Sequence, residues 1–506
     1  MTTTGIRRGL ARGSALSFIG SATSAVMGLL LIIVLGRTLG DAGSGVVLQA
    51  IGAFSIALGV ARFGMDSASV WILPRLLEDG RGHIRSTTIF LLTASAVVGG
   101  VCALVVFIGT LLIDEADPGD PVAEALRAII WFLPVASVLL TALSATRGLG
   151  GVTAYVMIGN IGLPTMRPLF ALLAIGLSSG VAAVSAAWAL PLIPAVLAAL
   201  IIVGFQVRQV AARREPEYLR SGIPGRTLRY ALPRVVSSTL EQLLIWLAVI
   251  IVGAIAGPAA AGIYGAASRF VASGMIVDTA LRVVVSPLFS RLQHRGDIRE
   301  LEQVYRTATI WLMLFSTPVY LLLAVFSPVA LSLLGGSFAE GEPVMVVMCL
   351  GAVVTFLAGN IHSVLLMSGR GGLAAMNKAL AVATNIALLY VLVPFWGVTG
   401  AAVAWAVACL LDAVLATVQV RLLLRIRVSP IAGLRPLAIG VLGVGIPAIL
   451  ARLVFGATWL GLLVSAAIGL ALLATWCLRD RERLHLDGLH ATPSLPVDQR
   501  SQSHAR

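Results

Sequence analysis

The sequence predicts an all-α, polytopic membrane protein: about fourteen transmembrane helices, as two parallel six-helix halves and an extra C-terminal helix pair. Three observations carry that prediction. The 506 residues are 58% hydrophobic and only 12% charged, with a mean hydropathy of +0.97; a soluble domain has about 25% charged residues. From Ser14 to Trp476 the apolar residues gather into long runs, each near the ~20 residues that cross a hydrocarbon core. A stretch of the first half, GVAAVSAAW at Gly180, returns 217 residues later as GVTGAAVAW at Gly397.

In order, the spans are expected at 15–35, 45–63, 86–113, 123–146, 151–177, 181–206, 232–256, 262–288, 307–334, 343–367, 373–393, 398–420, 432–451 and 457–478. A span in lipid must satisfy its own backbone, which makes it helical whatever its propensities. The first follows Arg7, Arg8 and Arg12 like a signal peptide. Its apolar core is too long for one and more spans follow, so it reads as an uncleaved first helix. The second and eighth are the weakest, because each carries internal charge.

The connections alternate in charge. One set carries Arg75, Arg81 and Arg85, then Arg147, then Arg208, Arg213, Arg214, Arg220, Arg226 and Arg229, then Arg291, Arg295 and Arg299, then Arg370, then Arg421, Arg425 and Arg427, then Arg479, Arg481 and Arg483. The other is acidic or bare, as at Asp114 to Asp120, Gly257 and Pro258, or Glu340 and Glu342. Basic loops stay in the cytoplasm, so both termini are expected inside, with Arg37 and Arg452 the exceptions. The expected domains are a first lobe at 1–206, a cytoplasmic linker at 207–231, a second lobe at 232–423, the extra pair at 424–478 and a disordered cytoplasmic tail at 479–506.

Several functions are disfavoured. The net charge of +13 is that of the basic loops and does not call for nucleic acid. Thirty-five of the 36 basic residues are arginine, the other being Lys378, which reads as a GC-rich bacterial genome. Cys102, Cys349, Cys409 and Cys477 are far apart with no CxxC, so neither a metal site nor a disulfide framework is expected. No P-loop or nucleophile triad occurs, so no cofactor is expected and transport would draw on an ion or substrate gradient. The connections on the outer side are all short, which argues against a membrane glycosyltransferase or polymerase with a large outer loop.

The repeat extends beyond one motif. Gly40 maps to Gly257 and Gly45 to Gly262 at the same offset, and Arg147-Gly148 corresponds to Arg370-Gly371 with a small gap. Both halves begin on the same side, and parallel repeats place substrate at their interface. Three stretches give a specific resemblance. LGRTLGDAGSG at Leu35–Gly45, Gly262-Ile263-Tyr264, and the GVTGAA run from Gly397 to Ala402 resemble conserved turns and a helix entry of polysaccharide and oligosaccharide-lipid transporters. This is one branch of the multidrug/oligosaccharidyl-lipid/polysaccharide exporter superfamily, and the resemblance covers about residues 10–480. Ser44 departs from it, standing where an aromatic is usual. The resemblance implies a V-shaped pair of lobes that flips undecaprenyl-diphosphate-linked sugars by alternating access, with the opening helix of each lobe lining the cavity.

Ionisable groups inside spans are functional candidates because burying them is costly. Ser14, Ser17, Ser21 and Ser24 share one face of the first helix, although serines also serve close helix packing. Shifted by 217 residues, Ser17 falls on Arg234, Ser21 on Ser238 and Ser24 on Glu241. Arg234 also fits a cytoplasmic helix end. Arg62 with Asp66, and Asp278 with Arg282, are four apart and suited to pairing on one helix face. Arg269 has no neighbour of opposite charge in the sequence. Arg167 lies in LPTMRP between Pro164 and Pro168, where a broken helix would expose backbone around a charge; its fork suits a diphosphate. His362 and Asn360 read as packing or cavity polar groups. The expected substrate ligands are thus Arg167, Arg234, Arg269, Arg62, Arg282, Ser17, Ser21, Ser24 and Ser238, with Glu241, Asp66 and Asp278 coupling proton or sodium movement.

These readings converge on a flippase of the bacterial inner membrane for a lipid-linked oligosaccharide or related cell-envelope precursor. Polysaccharide polymerase and glycosyltransferases are its candidate partners. A cation-coupled multidrug exporter and a lipid II flippase are the alternatives of the same fold, though the lipid II branch's arginine-rich opening motif is not seen.

Overall fold

The computed structural model describes residues 3–79, 81–177, 180–211, 222–428 and 430–479, with side chains from Leu16 onward except those of Asp79, Ala280, Val283, Val284, Pro287 and Pro430. Arg213, Arg214, Arg220, the expected tail beyond Arg479 and the side chain of Ser14 lie outside the described residues. Among those described the chain is helical, without strands. In the first half, α1 is Thr3–Ala61, α2 Met65–Asp79, α3 Ile84–Ala116, α4 Pro121–Ile130 and α5 Leu133–Gly148. A π-helical stretch, Tyr155–Gly162, leads into α6 at Leu163–Gly176, followed by α7 at Val181–Ala189 and α8 at Leu192–Val210. The second half has α9 at Ile223–Ala256, α10 at Pro258–Ser273, α11 at Ile276–Arg295, α12 at Ile298–Val325, α13 at Ser327–Ser332, α14 at Glu342–Phe356, α15 at Ile361–Met367 and α16 at Gly371–Leu423. The extra segment holds α17 at Leu434–Gly440, α18 at Ile446–Phe455 and α19 at Trp459–Arg479.

Ten helical segments are long and apolar enough to cross a membrane, and α4 with α5, bent by 50°, adds an eleventh. Two of the ten, Leu16–Glu78 and Gly371–Leu423, are 63 and 53 residues long. At about 1.5 Å per residue either would be more than twice the ~30 Å hydrocarbon thickness. Each contains a glycine with non-helical backbone, Gly40 (φ 69°) and Gly397 (φ 55°). A Cβ on Gly400 would collide with the carbonyl of Leu392, a contact that a straight helix forbids to residues eight apart. Each long segment is therefore two passes joined by one left-handed residue, a conformation that glycine adopts without the Cβ penalty. Gly257, the repeat image of Gly40, takes the same role between α9 and α10 (φ 89°). The expected eighth span forms as α10 and α11. It carries Arg269, Asp278 and Arg282 and is not among the ten.

The buried apolar side chains divide as the repeat does. One cluster gathers residues from Leu31 to Ala231. A second gathers Ala248 to Ala404, joined by Ile32 and Leu48 from the first half. The seam between them follows the repeat residue by residue. A Cβ on Gly45 would strike the carbonyl of Pro258, and one on Gly262 would strike that of Asp41; Gly45 and Gly262, like Asp41 and Pro258, are 217 apart. A Cβ on Gly265 would lie 2.7 Å from Leu48, its own image. Identical contacts made in both directions are the signature of a pseudo-twofold axis between the lobes. The small residues let the two backbones touch, as at membrane helix crossings generally.

The extra helices pack against the second lobe. Gly440 abuts Thr317 of α12, and Ala448 and Ala451 of α18 join the Phe326 cluster. The two exceptions to the charge alternation are both engaged. Arg452 donates to Glu342 and to the Val325 carbonyl, each at 2.7 Å. Arg37 Nε donates to the Leu333 carbonyl at 2.7 Å across the seam.

Candidate anion site between the lobes

Where the lobes face each other lies a cavity of about 280 Å³ lined by Ser21, Ser24 and Ala25 of α1, Asn160, Ala272 of α10, Met275, and Ile276 and Thr279 of α11. The serine stripe of the first helix thus supplies two hydroxyls to it. Ser17, one turn earlier, is half-buried and is not among the lining residues. The second helix's stripe goes elsewhere. Ser238 donates to the Gly59 carbonyl at 3.1 Å, holding α9 against the second limb of α1. Arg234 is exposed, 5.8 Å from the Tyr230 ring. Glu241 is exposed and has no ion-pair partner among the described residues.

Both i,i+4 pairs are closed. Arg62 holds Asp66 at 3.1 Å, beside a helix break at Phe63 and Gly64, both of positive φ. Arg282 is paired with Asp278, whose side chain is buried. Each pair spends its charge locally.

Arg167 and Arg269 differ from all of these. The Arg167 guanidinium lies 4.0 Å over the Trp188 ring of α7, and its Nε is buried without a hydrogen-bond partner. The Arg269 guanidinium lies 3.8 Å over the Trp246 ring of α9, and its Nη2 is likewise buried without a partner. Neither has a carboxylate partner among the described residues. Stacking on an indole stabilises a guanidinium by roughly 0.5–2 kcal/mol, while leaving its N–H edge free to meet an anion. Both platforms rest on one stretch of α1: Trp188 meets Phe54 edge-on at 5.6 Å, and a Cβ on Gly52 would lie 3.2 Å from Trp246. Gly52 is the repeat image of Arg269.

Neither arginine is among the residues that line the cavity, but each is near one along its own segment: Arg269 lies three residues before Ala272, on the same side of α10. Arg167 stands two turns beyond Asn160. Each lies about ten residues, or ~15 Å, from the end of its helix nearer Gly40 and Gly257.

The backbone around Arg167 departs from the expected broken helix. α6 continues through Pro164 and Pro168, and the disturbance falls one turn earlier, in the π-helical stretch, where Leu163 N–H bonds the Ile158 carbonyl. Pro164 has no N–H to return to Asn160, so the helix widens instead of snapping, as π-turns at functional sites do. That widening lies where Asn160 lines the cavity. Sequence reasoning missed both tryptophan platforms, which come from other helices. It also passed over a second charged group: Lys378 donates to buried Asp412 at 2.8 Å, with His362 Nε2 at 3.6 Å from the same oxygen.

A family model described as "Polysaccharide biosynthesis protein" matches residues 165–340. The probable low-salt glycan biosynthesis flippase Agl15 of Haloferax volcanii is 26% identical over 187 residues, or 37% of this chain. The match spans only 40% of that relative's length. Among solved structures, the lipid II flippase MurJ in an inward closed conformation aligns with a TM-score of 0.66 at 12% identity, over 93% of this chain and all of that one. An inward-facing multidrug resistance MATE family transporter of the MOP superfamily aligns at 0.62 and 14% identity, over 81% of this chain and 98% of that one. These folds confirm the all-α membrane architecture. With the family match and the named relative, they support the likeness read from the motifs: the chain resembles the polysaccharide-transporter branch of the multidrug/oligosaccharidyl-lipid/polysaccharide exporter superfamily.

Proposed function

We propose that the protein is an inner-membrane flippase that carries a lipid-diphosphate-linked oligosaccharide, or a related cell-envelope precursor, across the bilayer by alternating access of its two lobes. The observation that carries this reading is the pair Arg167 and Arg269: two guanidiniums, each stacked on a tryptophan, each without a carboxylate partner among the described residues, on segments that also contribute to the interlobe cavity. A diphosphate supplies the acceptor oxygens that such forks take in pairs. Ser21, Ser24 and Asn160 offer neutral hydrogen bonds beside them, and Arg234 offers a more exposed charge for the arriving headgroup. Both termini are cytoplasmic in this reading, and glycan-building enzymes on that side supply the substrate. Glu241, the unpaired carboxylate of the second lobe's opening helix, is the candidate for coupling to a proton or sodium gradient.

A cationic-drug exporter needs unpaired acid in the cavity. No carboxylate, Glu241 included, is among the residues that line it, and Asp66 and Asp278 are both neutralised by arginine, which favours the anionic substrate. Lipid II carries the same diphosphate, so the sugar is what separates these two flippase readings. The test is binding of a panel of lipid diphosphates to purified protein. Affinity for a diphosphate lipid that exceeds that for the matching neutral lipid, and that depends on Arg167 and Arg269, supports the proposal. Equal affinity for both lipids contradicts it.

A further inference from the structure

The interlobe cavity presents hydrogen-bonding groups that the chain itself leaves unused. A serine or threonine inside a helix commonly donates to a carbonyl three or four residues back. Thr23, Ser55 and Ser69 do so, at 2.9, 2.7 and 2.6 Å. The hydroxyls of Ser21 and Ser24 make no such bond among the described residues, and the Asn160 side chain makes none either. All three line the one cavity of about 280 Å³.

Their convergence depends on a missing side chain. A Cβ on Gly20 would lie 2.5 Å from Val156 and 3.1 Å from Asn160. Only a bare backbone lets the π-helical stretch come close enough to α1 to put Asn160 and the serines on the same cavity. The rest of the wall is neutral. Thr279 donates to the Met275 carbonyl at 3.0 Å, the remaining side chains are apolar, and no ionisable group is among the lining residues.

Such a wall offers free hydroxyls, a free amide, and methyl and thioether surface. A bare sugar ring would use the hydroxyls and leave the apolar surface without contact. An acetamido group uses all three. Its amide is trans, so its C=O and N–H point in opposite directions and need partners on different elements. Asn160 stands on one element and the serines on another. An amide nitrogen donates and a hydroxyl oxygen accepts, and the acetamido methyl meets the apolar side.

We propose that this cavity is a subsite for an N-acetylated sugar, the ring bonded directly to the lipid diphosphate. Asn160 Nδ2 donates to the acetamido carbonyl, a serine hydroxyl of α1 accepts from its N–H, and its methyl lies against Met275 and Ile276. The assignment rests on the lipid-diphosphate reading above and divides the work within it. Arg269, three residues before Ala272 on α10, takes the diphosphate, and the neutral cavity reads the first sugar. Asn160 is then a specificity-determining residue.

The experiment measures binding of two lipid diphosphates to purified full-length protein. They differ only at a single sugar, N-acetylglucosamine in one and glucose in the other. The wild type is expected to hold the acetamido lipid about tenfold more tightly. Asn160→Leu removes the amide and is expected to equalise the two affinities. The Ser21→Ala, Ser24→Ala double variant removes the other end of the contact from a different helix and is expected to narrow the preference as well. The ratio of the two affinities is the readout, because a general loss of fold lowers both together. Equal affinities in the wild type, or a preference that survives in both variants, overturns the subsite. If both diphosphate lipids are still held above the matching neutral lipid, the subsite alone falls and the flippase reading stands.

Discussion

Arg167→Ala removes a guanidinium whose N–H edge has no partner among the described residues, so apart from the Trp188 stack, worth roughly 0.5–2 kcal/mol, the loss should fall on ligand. Charge-assisted hydrogen bonds contribute about 1.5–3 kcal/mol each, so one lost contact weakens diphosphate binding by roughly 10- to 100-fold. Titration of the purified variant with a lipid diphosphate checks this, with membrane accumulation unchanged. Lysine restores part of the affinity, because a point charge cannot reproduce the fork or the stack. Arg269→Ala behaves the same way. Glu241→Gln is expected to bind substrate normally and to lose the dependence of transport on the proton gradient, measured in vesicles with and without an imposed pH step. Unchanged gradient dependence removes Glu241 from the coupling role. The arginines were legible in the sequence because a charge inside an apolar run stands out. Their platforms were not, since Trp188 and Trp246 sit on other helices and look like ordinary apolar residues. Lys378 was visible as the chain's single lysine, but only the fold brings it to Asp412, 34 residues away.

At the scale of the elements, the glycine offset told most. Gly40 with Gly257, and Gly45 with Gly262, were legible as repeats because tight turns and close crossings each demand the missing Cβ. Gly45→Val should overpack the seam by about 1–3 kcal/mol, lowering the thermal midpoint of the purified protein by several degrees. Gly28→Ala, where nothing lies within 4 Å of the added carbon, should leave the midpoint level or slightly raised, as helix propensity dictates. Equal melting of the two variants would remove the Gly45–Gly262 seam from the account. The π-helical stretch before Pro164 was not legible. Two prolines in sequence announce a disturbed helix, but whether the backbone breaks or widens depends on the neighbours packed around it. The count of spans was blurred for a related reason, since single glycines join passes that periodicity alone would separate.

The molecule as a whole is oriented by its loops. With the four native cysteines replaced, single cysteines at Asp117 and Gly296 report opposite faces of the membrane. An impermeant thiol reagent added to intact cells is expected to label position 117 and spare position 296; the reverse pattern inverts every statement of sidedness. The two-lobed fold was legible because repeats, apolar runs and loop charge all point the same way. The cavity was not, since it exists only where α1, α10, α11 and the Asn160 turn come together. The central claim is that this cavity moves an anionic, diphosphate-linked lipid by means of Arg167 and Arg269. Its most direct test reconstitutes the protein in vesicles and follows a fluorescent lipid-diphosphate oligosaccharide between leaflets, beside a cationic dye. The account predicts movement of the diphosphate lipid that collapses in the Arg167→Ala, Arg269→Ala double variant, and no transport of the dye. Dye transport that survives in the double variant, with the diphosphate lipid left in place, would contradict it.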